Sequence, residues 1–342
     1  MPAEGGFMKK PVVSVLVCFA LVFLFAGLLA GCSKKDSSQK ELTVYAYDSF
    51  CGDWGPGEGL AKAFEEKTGI HVNLVSCDGA VELYSRIVYE GKACPADVVI
   101  GLSDSLDYDS GLFESWTPSC DKDLIEYDRS MNLIPFDYGI FAFIIDTYSN
   151  GIPTISCLED LTKDAYKKKV ILIGPSSSVG LGLLKWTVAA LGEDKAFSWW
   201  EKMKDNALTM SSSWSTAYGL FTENEAPIVI SYTTSPVYHL MYENSERYQA
   251  VEFKDGHIKT VEYLGVLKQS SNKDAAKQFC EFLLTEGQND IAVANTMFPA
   301  NTSTSLVPEF SIALMPSKII ETDITVEQMA KYSERWTEMM VK

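Results

Sequence analysis

The chain has 342 residues, with 29 Lys and Arg against 46 Asp and Glu and a formal net charge of −17. That excess of negative charge excludes nucleic acid and anionic lipid as charge-driven partners, because both need Lys/Arg clusters to displace counterions. A hydrophobic content of 46% with 12% aromatics excludes general disorder and suffices to build the cores of two domains.

Reading from the N-terminus, Lys9 and Lys10 lead into an apolar run, Val12 to Ala30, that closes on Leu28-Leu29-Ala30-Gly31-Cys32. Positive residues, an apolar stretch and small residues at a cut site are the order of a bacterial export signal. Cysteine directly after Ala-Gly resembles the lipobox of bacterial lipoproteins, whose thiol is acylated with a palmitate-type chain and becomes the new N-terminus. A plain membrane span is the alternative, since the run approaches the ~20 residues a spanning helix needs. A simple span has no need of Leu-Ala-Gly-Cys at its outer end. Residues 1–31 therefore read as a signal peptide, Cys32 as the lipidation site and residues 32–40 as a polar tether. The expected location is the periplasmic or cell-surface side of a bacterial membrane, lipid-anchored and soluble beyond the tether.

Leu42 to Tyr47 alternates as a strand, Gly55-Pro56-Gly57 is a turn, and Leu60, Ala61 and Phe64 recur at helical spacing within Glu58 to Lys67. Gly69 stops that helix. Ile70 to Val75 is a second strand, Val81 to Tyr89 a helix and Ala96 to Gly101 a third strand. This alternation predicts a parallel sheet with helices on its faces and ligands at the carboxyl ends of its strands. A second α/β unit is expected from near Pro135, with strands at Phe141–Asp146, Val170–Gly174, Ala226–Ser231 and Val261–Leu267. Its helices are expected at Lys185–Leu191 and Asp194–Met203. A helix Asp274–Leu284 capped by Ser270-Ser271-Asn272 and a last helix Val326–Met340 follow.

Six cysteines remain beyond Cys32: Cys51, Cys77, Cys94, Cys120, Cys157 and Cys280. None forms a Cys-x-x-Cys pair, and His71, His239 and His257 are scattered, so no metal site is expected. Nor does any Ser/His/Asp order or Gly-x-Ser-x-Gly motif mark an enzyme, and no cofactor is called for.

Three clusters carry chemistry. Tyr45 to Trp54 sets aromatics and carboxylates beyond strand one; one of Tyr45 and Tyr47 must pack on the sheet, since strand residues alternate sides. A tryptophan in a Gly-Pro-Gly loop is hard to explain by core packing, so Trp54 is a ligand candidate. Asp78-Gly79 beyond strand two is a weaker candidate as an isolated pair. Gly174 to Gly182, with Ser177 and Ser178 between a strand and a helix, is an anion site or an ordinary helix cap. Ser211 to Ser215 with Trp214, and Tyr232-Thr233-Thr234-Ser235 with Tyr238, form a hydroxyl and aromatic wall suited to flat rings and cations.

Tyr45-x-Tyr47-Asp48-Ser49-Phe50, Asp53-Trp54-Gly55-Pro56-Gly57 and Ala96-Asp97-Val98-Val99-x-Gly101-Leu102 resemble the thiamine-binding periplasmic proteins of ABC importers. So do Pro135-Phe136-Asp137-Tyr138-Gly139-x-Phe141-Ala142-Phe143, Gly180 to Trp186, Trp214 to Phe221 and Ser231 to Tyr238. The runs keep the same order across roughly residues 42 to 300. The resemblance implies an α/β, two-lobed type II periplasmic binding protein fold whose cleft closes about hinge strands. Lobe 1 would take residues 41–136 plus 261–288, and lobe 2 residues 137–260 plus 289–342. It implies ligand contacts at Tyr47, Trp54, Asp78, Gly79, Ser177, Ser178, Trp214, Tyr232, Thr233, Thr234, Ser235 and Tyr238. The implied ligand is thiamine, with its mono- and diphosphate at Ser177 and Ser178, passed by a monomeric receptor to an ABC permease and its ATPase. A polyamine or ferric ion receptor, or a thiaminase-like enzyme using a cysteine, are the competing readings.

Two departures stand out. A cleft tryptophan expected of the family falls at Thr296, which removes one stacking wall. Cys51 and Cys77, not features of the family, follow strands expected to be neighbours, which suggests a disulfide between them.

Overall fold

A computed structural model describes residues 40–341; the expected signal peptide, Cys32 and all of the tether but Lys40 lie outside the described residues. The chain enters through β1 (Glu41–Tyr47), α1 (Asp48–Cys51), α2 (Gly57–Thr68), β2 (His71–Cys77), α3 (Ala80–Glu90) and β3 (Val98–Ser103). α2 buries Leu60, Ala61 and Phe64 as its spacing predicted, and it ends on Gly69 at φ 73°. β1 pairs in parallel with both β2 and β3. Its alternation serves two cores: Leu42, Val44 and Ala46 pack with Phe64 and Phe279, whereas Tyr45 packs with Leu83, Ile87 and Val99. Burial of both faces is the reason strands of a parallel sheet are apolar throughout.

The next strand, β4 (Ile134–Asp146), spans 13 residues, so the strand expected at Phe141–Asp146 begins earlier, at Ile134. Pro135 lies inside the strand, where the register with the later strand β9 shifts between Pro135 and Asp137. Such an irregularity accepts a residue that has no N–H to donate. Then come β5 (Val170–Ile173), α4 (Ser178–Leu191), α5 (Glu193–Asn206), β6 (Ala207–Ser211), α6 (Trp214–Thr222), β7 (Ile228–Tyr232) and α7 (Ser235–Glu243). β8 (Tyr248–Ala250), β9 (Lys259–Val266), α8 (Lys273–Leu284), α9 (Gln288–Asn295), β10 (Phe298–Pro299) and α10 (Val326–Val341) complete the described chain.

α4 begins well before the expected Lys185. Gly180, a poor helix former by propensity, is required there: a Cβ on it would stand 1.8 Å from the Gly174 carbonyl oxygen. β6, α6, α7 and α9 had no periodic signal in the sequence. α6 is short and opens from a serine run in which Ser213 Oγ accepts the Thr216 N–H. α7 carries Pro236 in its first turn.

The strands form one sheet in the order β2-β1-β3-β9-β4-β7-β5-β6, with β8 and β10 also on β4. The expected parallel arrangement holds for β1–β3 and for β5–β7, but β9 runs antiparallel to β3 and β4. β4 is shared: Ile134 to Ile140 pair with β9, and Phe141 to Ile145 pair with β7. β4 and β9 thus join two α/β halves. The half built on β5–β7 has its own core, including Phe141, Phe143, Leu172, Trp186, Trp200 and Ile230.

A candidate ligand-binding cleft

The cleft forms where the carboxyl ends of the two sets of parallel strands meet. Tyr47 closes β1, Asp48 and Trp54 follow it, Asp78 and Gly79 follow β2, and Gly101 lies in β3. Facing them are Ser177 and Ser178 after β5, Ser213 and Trp214 after β6, and Tyr232 and Ser235 around the end of β7. Glu262 of β9 joins Asn295, Thr296 and Met297 in the same lining. This is where α/β sheets collect ligands, because helix N-termini and short loops supply unpaired donors there.

Tyr47, Trp54, Asp78, Gly79, Ser177, Ser178, Trp214, Tyr232 and Ser235 all line this cavity of ≈ 80 Å³. A second cavity of ≈ 260 Å³ abuts it and shares Trp54, Trp214, Ser235, Asn295 and Thr296; Tyr238 lines this one, with Tyr218, His239 and Glu243. Thr233 and Thr234 line neither. Both are 0% exposed, and their hydroxyls have no partner among the described residues, so they stand behind the wall.

Aromatic faces are held rigidly. Trp214 stacks on Tyr218 with centroids 4.9 Å apart at 16°, and Trp54 leans toward it at 6.0 Å. Trp214 Nε1 donates to Ser231 Oγ at 2.8 Å, and Ser231 Oγ bonds Ser235 Oγ at 2.7 Å. Tyr232 stacks on Phe141 at 5.2 Å. In the larger cavity Tyr218 OH, His239 and Glu243 form a chain, with 3.0 Å from Tyr218 OH to Nε2 and 2.8 Å from Nδ1 to the carboxylate. Ser215 OH donates to Asp48 Oδ2 at 2.9 Å and links α6 to α1 across the cleft. Ser177 caps α4 by accepting the Gly180 N–H at 3.2 Å, so the helix-cap reading and a place in the cavity wall both hold for it.

Charge in the smaller cavity is one-sided. Its described lining holds the carboxyls of Asp48, Asp78 and Glu262 and no Lys, Arg or His. Burial raises the Asp48 carboxyl, against the opposing bonds from the Ser215 hydroxyl and Ser49 N–H. Burial likewise pushes Glu262 up to about 7, and it raises Asp137 and Asp104 behind it. Asn295 Nδ2 donates both to Tyr47 OH at 2.8 Å and to Asp137 Oδ2 at 2.9 Å. Glu262 and Asn295 were not singled out from sequence. The sequence signal for Glu262 and Asp137 is a carboxylate between apolar or aromatic strand residues, Asp137 between Phe136 and Tyr138 and Glu262 between Val261 and Tyr263, since such residues are rarely buried without cause.

The expected Cys51–Cys77 disulfide is absent, and all six described cysteines are free thiols. Each sulfur faces something else: Cys51 Sγ the Ala46 carbonyl at 3.9 Å, and Cys77 Sγ the Arg86 guanidinium at 4.0 Å. Burial, and then the neighbouring Cys77, push the Cys51 thiol up to about 11, so it stays protonated at neutral pH.

The Tyr47 ring owes its place to Gly101, which has φ +96° and whose added Cβ would fall 1.9 Å from Tyr47 Cδ1. Gly101→Ala is expected to drive the ring into the cavity and weaken ligand binding at least about tenfold, besides straining the backbone by about 1–3 kcal/mol. Calorimetric titration beside a thermal melt checks this, and unchanged affinity would show that the ring is not part of the site.

Two α/β halves joined by crossing strands, with a hydroxyl and aromatic cleft at their junction, define a solute-binding protein of the type II fold. Residues 59–316 match the family model of bacterial extracellular solute-binding proteins. The chain is 34% identical over 328 residues to the thiamine-binding periplasmic protein of Brucella abortus biovar 1 (strain 9-941), covering 94% of this chain and 96% of the relative. It is 35% identical over 337 residues to that of Escherichia coli (strain K12), covering 96% and 97%. A solved periplasmic thiamin binding protein superposes with a TM-score of 0.80 at 34% identity, over 91% of this chain and 98% of that one. Iron-bound HitA from Pseudomonas aeruginosa shares the fold at 19% identity, with a TM-score of 0.72 over 88% and 99%. The chain belongs to the family of thiamine-binding periplasmic proteins. These relatives are binding proteins rather than enzymes, and among the described residues no helix is long and apolar enough to cross a membrane.

Proposed function

We propose that this protein captures thiamine outside the cytoplasm and delivers it to an ABC permease with its ATPase. The observation that carries the reading is a cavity walled by aromatic faces and lined by three carboxyls with no basic group among its described residues. Thiamine joins a permanently cationic thiazolium to an aminopyrimidine. A cation over aromatic faces gains ~0.5–2 kcal/mol per contact, and carboxylates add charge attraction that a dry cleft strengthens. Two abutting cavities that share Trp54 and Trp214 suit a ligand of two linked rings. The N-terminus of α4 with Ser177 and Ser178 would receive the phosphates of thiamine mono- and diphosphate.

In this reading residues 41–136 plus 261–288 and residues 137–260 plus 289–342 close on the ligand as two lobes about β4 and β9. The monomeric receptor is held at the membrane through acylated Cys32. No enzymatic role is assigned. Isothermal calorimetry of the purified full-length chain tests the reading. Saturable one-to-one heat with thiamine is expected, and preference for a polyamine or ferric ion in the same panel would overturn it.

A further inference from the structure

Asp137 and Glu262 are directly opposed in the antiparallel ladder of β4 and β9, the two strands that join the halves of the sheet. Asp137 is 0% exposed, its Oδ2 accepts from Asn295, and its Oδ1 has no hydrogen-bond partner among the described residues. Burial raises the Asp137 carboxyl well above its ordinary value and the facing Glu262 carboxyl raises it further, so Asp137 is held as the neutral acid. Glu262 lines the cavity and is the carboxyl of the pair that a ligand can reach.

The titratable groups facing the pair are themselves acids. Tyr47 from β1 bonds Glu262, Tyr232 from β7 faces Tyr47, and Asp104 after β3 repels Glu262. Lys185 and Lys259 act on Asp104. Among the described residues no lysine, arginine or histidine forms an ion pair with either member. An empty cleft therefore offers Glu262 no positive charge except a proton.

We propose that Asp137 and Glu262 form a proton-exchange floor: an organic cation entering the cleft displaces the proton held on Glu262, which leaves to solvent as the carboxylate forms. The inference rests on the thiamine reading above and adds its regulation. The balance is one cation bound, one O–H bond broken on Glu262 and one proton released to buffer. Because burial, and then the Asp104 charge, push the Glu262 carboxyl up toward neutrality, capture is expected to strengthen as pH rises through neutrality and to fade below it.

The test is calorimetry of thiamine with the purified full-length protein at about pH 6 and about pH 8, each in two buffers of different ionisation enthalpy. Affinity is expected to be about tenfold weaker at the lower pH, with up to about one proton released there per thiamine bound. Glu262→Gln is expected to bind with a single, weaker affinity at both pH values and to release no proton. Asp137→Asn, which imitates the neutral acid, is expected to keep the pH response. Equal wild-type affinity at both pH values without buffer-dependent heat overturns the proposal, as does a Glu262→Gln variant that retains the response. Should Glu262→Gln fail to fold by circular dichroism, the wild-type buffer dependence decides alone. Absence of thiamine heat at both pH values would instead overturn the thiamine reading itself.

Discussion

Trp214→Ala is expected to weaken thiamine binding about a hundredfold. Trp214 lines both cavities, stacks on Tyr218 at 4.9 Å and donates through Nε1 to Ser231 at 2.8 Å. Truncating a central aromatic anchor costs about 2–4 kcal/mol, and every 1.4 kcal/mol is about tenfold in affinity. The loss has two parts. One is the ring face against which a flat cation packs, and the other is the bond that orients the Ser231 and Ser235 hydroxyls. Trp214→Phe helps to separate them, because it keeps an aromatic face, though a smaller one, and removes the N–H; it is expected to recover part of the affinity. Calorimetric titration of both variants checks this. A change of less than about threefold for the alanine variant would remove Trp214 from the site.

Asp146→Asn is expected to cost roughly 3 kcal/mol of stability, the largest effect away from the cleft. Asp146 ends β4 with both oxygens accepting from Arg247, Nε on Oδ1 and a terminal nitrogen on Oδ2, each at 2.7 Å. Its side chain is 4% exposed and that of Arg247 27%, so removing the charge strands a guanidinium that is largely withdrawn from water. Tyr148 N–H and Ser149 OH also donate to the carboxylate, and the guanidinium lies over the Tyr248 ring at 5.1 Å.

The Arg247 bonds hold the Asp146 pKa down to about 2. A depressed carboxyl stabilises the fold above its unfolded value of about 3.9, and that contribution, about 2–3 kcal/mol, is lost as pH falls through about 2. Urea unfolding from neutral to acid pH should show this loss in the wild type and not in Asp146→Asn. Equal midpoints for the two proteins at neutral pH would mean that the pair contributes nothing.

Most of what the sequence carried was local and periodic. The apolar spacing of α2 says which side of that helix is wet, and it holds in the fold; the alternation in β1 instead sorts its residues between two cores. Motif order from Tyr45 to Tyr238 was enough to name the family, because those runs combine turn glycines, aromatics and hydroxyls that periodicity alone would not require. Where special backbone or short length mattered, the pattern failed. Gly180 hid the start of α4, Pro135 masked a strand that runs through an irregularity, and α6 and α7 are too short to show a period.

Among the candidate site residues, the sequence by itself determined which types would meet: tyrosine and tryptophan faces, serine hydroxyls and Asp78 at the ends of strands. Only the tertiary structure decided which of them turn inward. Thr233 and Thr234 sit beside Tyr232 and Ser235 in sequence, yet the turn into α7 puts their side chains behind the wall. Glu262 and Asp137 are 125 positions apart and become a pair only because β9 and β4 run antiparallel in that register. The cause is the same in both cases. Local propensity sets the kind of element, whereas burial, and with it the charge a carboxyl can keep, depends on what distant strands bring alongside.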